Sequence, residues 1–529
     1  MQEEVKVILE ELVAYISGLR GEGILKGKES IYITVRAKYI ILKENGLLDN
    51  LYRTVKETLW DAPDLYIYFL SIIFDIVKDD RSITEALNSL NNDNINLFTQ
   101  MLIRGQIEYI IFQNSKLQRH YDLRRMVNRR LLEKSEEIIN IPFPYRTHNL
   151  RNQNRIVIVV SQFLSDLHAP TNIIKQISRL LQKEFNMEVL LIVALDDMYS
   201  NNPQQVWFNS IILNYVKEYN DYFKIEYKGE IIHGIQFMMN QQNTTYIQEV
   251  IEIIYDFNPL FVWSMGTFSI FADFLRKFIT VMSMPFSDGY AVSEAQIMCT
   301  YLNSHSSEIK DMESSFIELN QRAIQFKLGL PLTESMNIYY REDYGIKEQD
   351  FVVVVIGNRL DIEIDQDFII LLKKILEIDD RICVVFIGGY EGYSSLIQED
   401  IFSKRTRNLG YQRDLIGILS IMDLFLNPPR QGGGAGAVYS LFNGLPVVTL
   451  GQCDVANSIE PEDICKNFDE MYHLVKKYFY DIEFYKKESN KAMRIREKRT
   501  SDIFFNNTKI LIDEVRRCLN DFETEVEII

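Results

Sequence analysis

The sequence of 529 residues lacks long runs of proline, glycine or serine, and no apolar stretch approaches the roughly eighteen residues that a membrane-spanning helix needs. The first absence argues against disordered tails and linkers. The amino terminus is acidic and has no basic start followed by an apolar run, so it does not resemble a secretory signal peptide. We therefore expect a folded, cytoplasmic protein.

Positive charge and cysteine are both scarce. The chain has 57 lysines and arginines against 74 acidic residues, a net charge of -17, which argues against a general nucleic-acid-binding protein. The five cysteines are scattered without a Cys-x-x-Cys pair, and their odd number disfavours a disulfide framework. A reducing compartment fits this pattern best.

The basic residues that do cluster lie in one predicted helix, at spacings that place them on one side of it. A contact with a membrane surface is one interpretation of this patch. Its members are Lys116, Arg119, Arg124, Arg125, Arg129 and Arg130.

Apolar residues make up 47% of the chain, enough to build cores for about two to four domains. From residue 1 to about 150 they recur at spacings of three and four, which predicts helices. Pro142 and Pro144 then interrupt the pattern, and a polar run leads into a different texture. The sequence therefore predicts a helical domain over residues 1–150.

Residues 151–335 are predicted to form a Rossmann-like domain. A β-branched strand at 156–160, a helical pattern at 173–181 and a second strand at 189–193 form a βαβ unit. A helix at 246–255 and a strand at 259–263 continue the same sheet.

A second Rossmann-like domain is predicted over residues 336–529. Strands at 351–356, 382–387, 424–426 and 446–450 alternate with helical patterns, and further helices follow. The fold class is thus α/β, with two Rossmann-like domains behind a helical region. Ligands of such folds bind at the carboxyl ends of the strands, in the cleft between the two domains.

The sharpest motif is the glycine-rich turn that begins at Gly432, between a buried strand and a helix. Glycines remove side chains from between backbone and ligand, so the amides that open the helix can bind an anion such as a diphosphate. The residues predicted to bind it are Gly433, Gly434, Ala435, Gly436 and Ala437.

Other polar side chains follow strands at the same edge of the sheets. His168, after the first strand, could accept a hydroxyl proton or orient an acceptor. Arg359, after the first strand of the second domain, could neutralise a leaving diphosphate. Asp454 and Asn457 follow the strand at 446–450 and could meet the ribose or sugar. Weaker candidates are His233 and the loop at 283–290.

The segment from Gly432 to the Gly-Leu-Pro-Val-Val strand resembles the glycosyltransferases of the GT-B fold, as does the Gly-Asn-Arg-Leu motif at Arg359. The resemblance covers residues 155–500. The two glutamates that retaining members place eight residues apart correspond to Gln431 and Tyr439. The lysine that often follows the arginine is absent, because acidic residues occupy that stretch.

Residues 159–172, which contain His168, Pro170 and Thr171 after the first strand, are similar to the inverting protein O-GlcNAc transferases and the bacterial relatives that glycosylate adhesins. That family also has a helical region ahead of two Rossmann-like domains. Its two threonines at the glycine turn correspond to Ala435 and Gly436, and its ribose-binding aspartate corresponds to Tyr439.

The resemblance implies transfer of a hexose from a UDP-sugar, without a cofactor or a metal, to a cytosolic protein such as a serine-rich adhesin. The adjacent Asp196 and Asp197 are discounted as metal ligands, since they lack Asp-x-Asp spacing. Open alternatives are a lipid-linked or polysaccharide acceptor, a nucleotide-sugar epimerase, and a non-catalytic subunit that binds acceptor and supports a partner enzyme. Nucleic acid is excluded as a partner, whereas homo- or hetero-oligomers stay open.

Overall fold

The structure is a computed structural model that describes residues 6–8, 10–16, 28–114, 117, 120–166, 168–194, 206–211, 214–237, 244–287, 289–301, 313, 315–316, 319–451 and 453–526. Four residues named in the sequence predictions lie outside these ranges: Lys116, Arg119, Asp196 and Asp197. Among the described helices, none combines the length and hydrophobicity that a membrane crossing needs. All five cysteines are buried free thiols.

The amino-terminal region is helical, and its helices pack around one apolar core. Local sequence fixes several helix ends. Pro63 opens one helix at the position where proline costs no hydrogen bond, while the side chains of Asp79 and Asn96 cap two others. The helices are α1 (Lys28–Glu44), α2 (Leu48–Thr58), α3 (Pro63–Val77), α4 (Asp80–Ser89), α5 (Leu97–Gln113) and α6 (Tyr121–Ile138).

The first α/β unit has an eight-stranded sheet in the order β3-β4-β2-β1-β5-β6-β7-β8, parallel throughout except for the β3–β4 hairpin. Its strands are β1 (Arg155–Val160), β2 (Glu188–Val193), β3 (Asp221–Tyr227), β4 (Glu230–Gln236), β5 (Phe261–Met265), β6 (Val281–Met284), β7 (Ile297–Tyr301) and β8 (Arg322–Phe326). Its helices are α7 (Ala169–Phe185), α8 (Thr244–Phe257) and α9 (Ile270–Leu275).

The second α/β unit has a five-stranded, fully parallel sheet in the order β11-β10-β9-β12-β13. The strands are β9 (Phe351–Gly357), β10 (Ile382–Gly388), β11 (Thr406–Asn408), β12 (Leu424–Leu426) and β13 (Val447–Val448). The helices are α10 (Leu360–Glu363), α11 (Gln366–Leu376), α12 (Tyr393–Leu396), α13 (Asp400–Arg405), α14 (Leu415–Leu419), α15 (Gly434–Phe442), α16 (Phe468–Tyr480) and α17 (Ile482–Met493). The predicted fold class is confirmed.

The basic patch predicted on α6 is contradicted for its central residues. Arg124 and Arg125 are only 6% and 5% exposed. Arg124 Nε donates to Glu108 Oε1 at 2.8 Å, and Arg125 Nε donates to Glu294 Oε1 at 3.1 Å. Burial of these charges is tolerable because each guanidinium has a carboxylate partner. Arg124 therefore joins α6 to α5 within the helical region, and Arg125 joins α6 to the first α/β unit, so neither forms a surface for a membrane.

The last helix, α18 (Ser501–Val526), follows the second α/β unit in sequence but packs on the first. Leu511, Ile512, Val515 and Leu519 lie in the same apolar core as strands β1 and β5. The chain thus crosses from the first unit to the second near residue 330 and crosses back near residue 500.

Leu511→Ala tests the contribution of this returning helix to stability. Leu511 is 2% exposed, so its truncation should lower the free energy of unfolding by about 2–5 kcal/mol in urea titrations. Ile510→Ala is the matched control, because Ile510 is 65% exposed and should change stability by less than about 0.5 kcal/mol. Equal effects of the two substitutions would contradict the packing of α18.

Candidate functional site

A cleft of about 1470 Å³ separates the two α/β units and is lined by both of them. In each sheet the first strand has later strands on both of its sides, so the strand order reverses there. β1 lies between β2 and β5, and β9 lies between β10 and β12. Ligands of open parallel sheets bind at such switch points, outside the carboxyl ends of the strands. The loops after these strands contribute Ser161, Gly266, Arg359 and Gly432 to the cleft.

The glycine-rich turn lies at this cleft and opens helix α15. Gly433 caps the helix with a φ of 100°, in the left-handed region that favours glycine. Gly434, Ala435 and Gly436 follow it, and all three line the cleft. The N–H groups of a first helical turn have no partner within the helix and carry the positive end of its dipole, so they can bind an anion.

Ala437 must be removed from the predicted set of anion-binding amides. Its N–H donates to the Gly433 carbonyl at 3.2 Å, and its side chain is buried in the apolar core under the second sheet. The reason is helix geometry, since the first intrahelical hydrogen bond returns to the capping residue.

Arg359 lies beside the glycine-rich turn, as the sequence predicts. A Cβ built on Gly432 would lie 3.8 Å from Arg359 Nη2. The Arg359 side chain is 31% exposed and its guanidinium lies 4.9 Å from the centre of the Phe112 ring, in a cation–π contact. Phe112 belongs to α5, so the helical region forms one wall of the site. No pattern in the sequence indicates this contribution.

Behind Arg359 is a buried network of two arginines and one carboxylate. Glu363 Oε1 accepts from Arg359 Nη2 at 3.2 Å, and Glu363 Oε2 accepts from Arg430 Nη1 at 2.7 Å. Glu363 and Arg430 are 7% and 5% exposed. Asp361 and Glu363 lie in the short helix α10, and Asp365 caps the helix that follows, accepting from Phe368 N.

His168 lies at the start of α7 and lines the opposite wall of the cleft. Its Nδ1 is 2.8 Å from Thr171 Oγ1, which itself accepts from Leu164 N at 2.8 Å. Burial lowers the pKa of His168 to about 4. At neutral pH the ring is therefore uncharged and a weak base, which favours orienting a ligand over taking up its proton.

Asp454 and Asn457 line the cleft on the far side of the glycine-rich turn. A Cβ built on Gly434 would lie 3.1 Å from Asp454 Cβ, so this segment packs directly against the start of α15. Tyr439, one helical turn further on, also lines the cleft, and burial raises its pKa. A neutral phenol thus occupies the position at which the protein O-GlcNAc transferases, which the sequence resembles, have an aspartate.

Of the two weaker candidates, one lines the cleft and the other does not. Phe286 and Ser287, after β6, line the cleft. His233 is an exposed residue of β4 beside Tyr222, and it is not among the residues that line the cleft. Sequence reasoning missed the loop after β11, where Tyr411, Gln412 and Arg413 line the cleft; its position at a strand end was the available signal.

Within the described ranges, no group of three or more His, Cys, Asp or Glu side chains is arranged to hold a metal ion.

Comparison with solved structures identifies the architecture. A mutant O-GlcNAc transferase from Thermobaculum terrenum matches with a TM-score of 0.56 at 13% identity, over 98% of each chain. The chain has the GT-B fold. No protein-family model and no curated protein sequence matches it.

Two further solved structures match less of the chain. WaaG, a glycosyltransferase involved in lipopolysaccharide biosynthesis, has a TM-score of 0.44 at 12% identity, over 68% of this chain and 98% of its own. Anabaena HepE in complex with UDP has a TM-score of 0.44 at 12% identity, over 68% of this chain and all of its own, 100%. The fold assignment rests on the first structure, whose match extends through the helical region.

Gly433→Ala tests the packing of the glycine-rich turn. The substitution combines a positive φ with a Cβ only 2.6 Å from Arg430 Nε, so it should lower the free energy of unfolding by about 2–4 kcal/mol. Gly46→Ala is the matched control, because Gly46 has a φ of +70° but no atom within 4 Å of its Cβ. Its loss should be about 1 kcal/mol in the same urea titrations.

His168 should contribute a pH-dependent term to stability. Its folded pKa of about 4 lies below the ordinary 6.5, so the unfolded chain binds the proton first as the pH falls. The free energy of unfolding of the wild type, minus that of His168→Asn, should therefore fall as the pH drops from 6.5 to about 4. A difference that stays constant over this window would show that the ring is not buried in this way.

Proposed function

We propose that this GT-B protein is a metal-independent glycosyltransferase that moves a hexose from a UDP-sugar to an acceptor. The support is the position of Arg359 beside the opening of α15: a cation and a helix amino terminus face the same part of the cleft. Both stabilise negative charge, and a departing UDP is a diphosphate whose charge increases as the bond to the sugar breaks.

In this mechanism the diphosphate binds against the N–H groups of Gly434, Ala435 and Gly436, with Arg359 at its side. An acceptor hydroxyl or amide attacks the anomeric carbon as the bond from that carbon to UDP breaks. UDP leaves with its new charge neutralised, and the proton of the acceptor is released to water. His168, on the opposite wall, orients the acceptor as a neutral hydrogen-bonding group, since its low pKa makes it a weak base.

The acceptor we propose is a cytosolic protein, such as a serine-rich adhesin before export. A lipid-linked or polysaccharide acceptor is the second choice. The burial of Arg124 and Arg125 removes the argument that linked this second choice to a membrane-facing basic helix.

Arg359→Ala tests the donor site. UDP affinity measured by calorimetry should weaken by roughly tenfold to a hundredfold, the range for losing a charge-assisted hydrogen bond. Arg381→Ala is the matched control: Arg381 also pairs with a carboxylate in the second unit, but its side chain is 56% exposed and lies outside the cleft lining. Absence of UDP binding by the wild type would overturn the proposed function.

A second measurement separates the transferase from its alternatives. UDP-N-acetylglucosamine and UDP-glucose are each incubated with the protein, with and without a serine-rich acceptor, and UDP release is followed. Release that depends on the acceptor supports transfer. Acceptor binding without UDP affinity identifies a non-catalytic subunit. Two observations favour this alternative: His168 is a weak base, and positions 431 and 439 carry glutamine and tyrosine in place of glutamates. A changed sugar without transfer identifies an epimerase.

A further inference from the structure

Arg430 is a buried cation that the proposed mechanism has not used. It lies two residues before Gly432, where the glycine-rich turn begins. Its Nε donates to Asn427 Oδ1 at 2.8 Å, and its Nη1 donates to Glu363 Oε2. The remaining nitrogen, Nη2, is buried without a hydrogen-bond partner among the described residues. An ionised side chain this deep is costly unless its charge is needed or balanced.

The charges around Glu363 explain why a second cation matters. Glu363 is an acceptor for both Arg359 and Arg430, and only 5% of its side chain is exposed. Without Arg430, the Glu363 carboxylate would cancel most of the positive charge that Arg359 presents to the cleft, because screening by water is weak at a buried site. With Arg430 present, two positive charges face one negative charge and the group stays net positive.

The backbone around Arg430 leaves room for its guanidinium. A Cβ on Gly433 would lie 2.6 Å from Arg430 Nε and Nη2, and a Cβ on Gly357 would lie 2.6 Å from Nη1. A side chain at Gly357, the last residue of β9, or at Gly433, the cap of α15, would therefore collide with this guanidinium. This links the shape of the glycine-rich turn to the same side chain that balances Glu363.

We propose that Arg430 is a positioning residue of the UDP site. It offsets the charge of Glu363, so that the group of three side chains keeps a net positive charge for the diphosphate. Its guanidinium also packs against the glycine-rich turn at Gly433. The segment after Arg359 carries acidic residues and no lysine at positions 361–365, and the second cation of the site comes from the segment after β12. This inference rests on the proposed function, because it assigns Arg430 to the same diphosphate site.

The test compares UDP affinities of full-length variants by calorimetry. Arg430→Met leaves Glu363 to neutralise Arg359, so UDP affinity should weaken by roughly tenfold or more. The double variant Arg430→Met with Glu363→Gln removes both buried charges and should recover most of that affinity. A purely structural role predicts no such recovery, because the double variant lacks the same ion pair.

Two variants serve as controls. Arg341→Met breaks the pair with Asp423, 2.8 Å apart, within the same unit but away from the cleft; it should lower the melting temperature without changing UDP affinity. Arg430→Lys keeps the charge and loses the fixed geometry, so it should bind UDP within a few-fold of the wild type even if its melting temperature falls.

The outcomes separate the two proposals. A wild type that does not bind UDP overturns the proposed function. If the wild type binds and Arg359→Ala weakens binding, then unchanged affinity in Arg430→Met overturns the inference, as does a double variant as weak as the single one. If the methionine variants do not fold, Arg430→Lys decides: affinity as weak as that of Arg359→Ala overturns the inference, and near-wild-type affinity supports it.

Discussion

Parallel strand pairing is the constraint on which the rest of this structure depends. All carboxyl ends of the β9 to β13 sheet open on one edge, and so do those of β1, β2 and β5 to β8. Loops from distant parts of the sequence are thereby brought to one cleft. Arg359, the glycine-rich turn and Asp454 owe their proximity to this arrangement and to no local sequence relation.

The cleft also depends on the helical region, which forms part of its wall. Its α5 helix places Phe112 against Arg359, and its α6 helix is joined to the first α/β unit by Tyr121, Arg125 and Asn128. Asn128 Nδ2 donates to Asp273 Oδ2 at 2.7 Å, deep in the interface. Such buried polar contacts are costly to break, so they fix α6 against the first α/β unit, and the Arg124–Glu108 pair links α6 to α5.

Periodicity and strand texture were sufficient to predict the central strands and their helices, because β1, α7 and β9 are buried in patterns that local sequence determines. The β3–β4 hairpin was missed, although the glycine of the Lys228-Gly229 pair between the two strands is a sequence signal for a two-residue turn; both turn residues have a positive φ in the structure. Arg359 could be predicted from its place after a strand. The Glu363–Arg430 pair could not, since 67 residues separate its members.

The double crossing between the two α/β units restricts how they can move. The outgoing and returning segments lie side by side, and Leu332 N donates to Arg499 O at 3.0 Å where they meet. Two adjacent tethers resist sliding and twisting but permit rotation about the line through both. A hinge rotation at residues 332 and 499, which would change the width of the cleft, is therefore the relative motion that this connection restricts least.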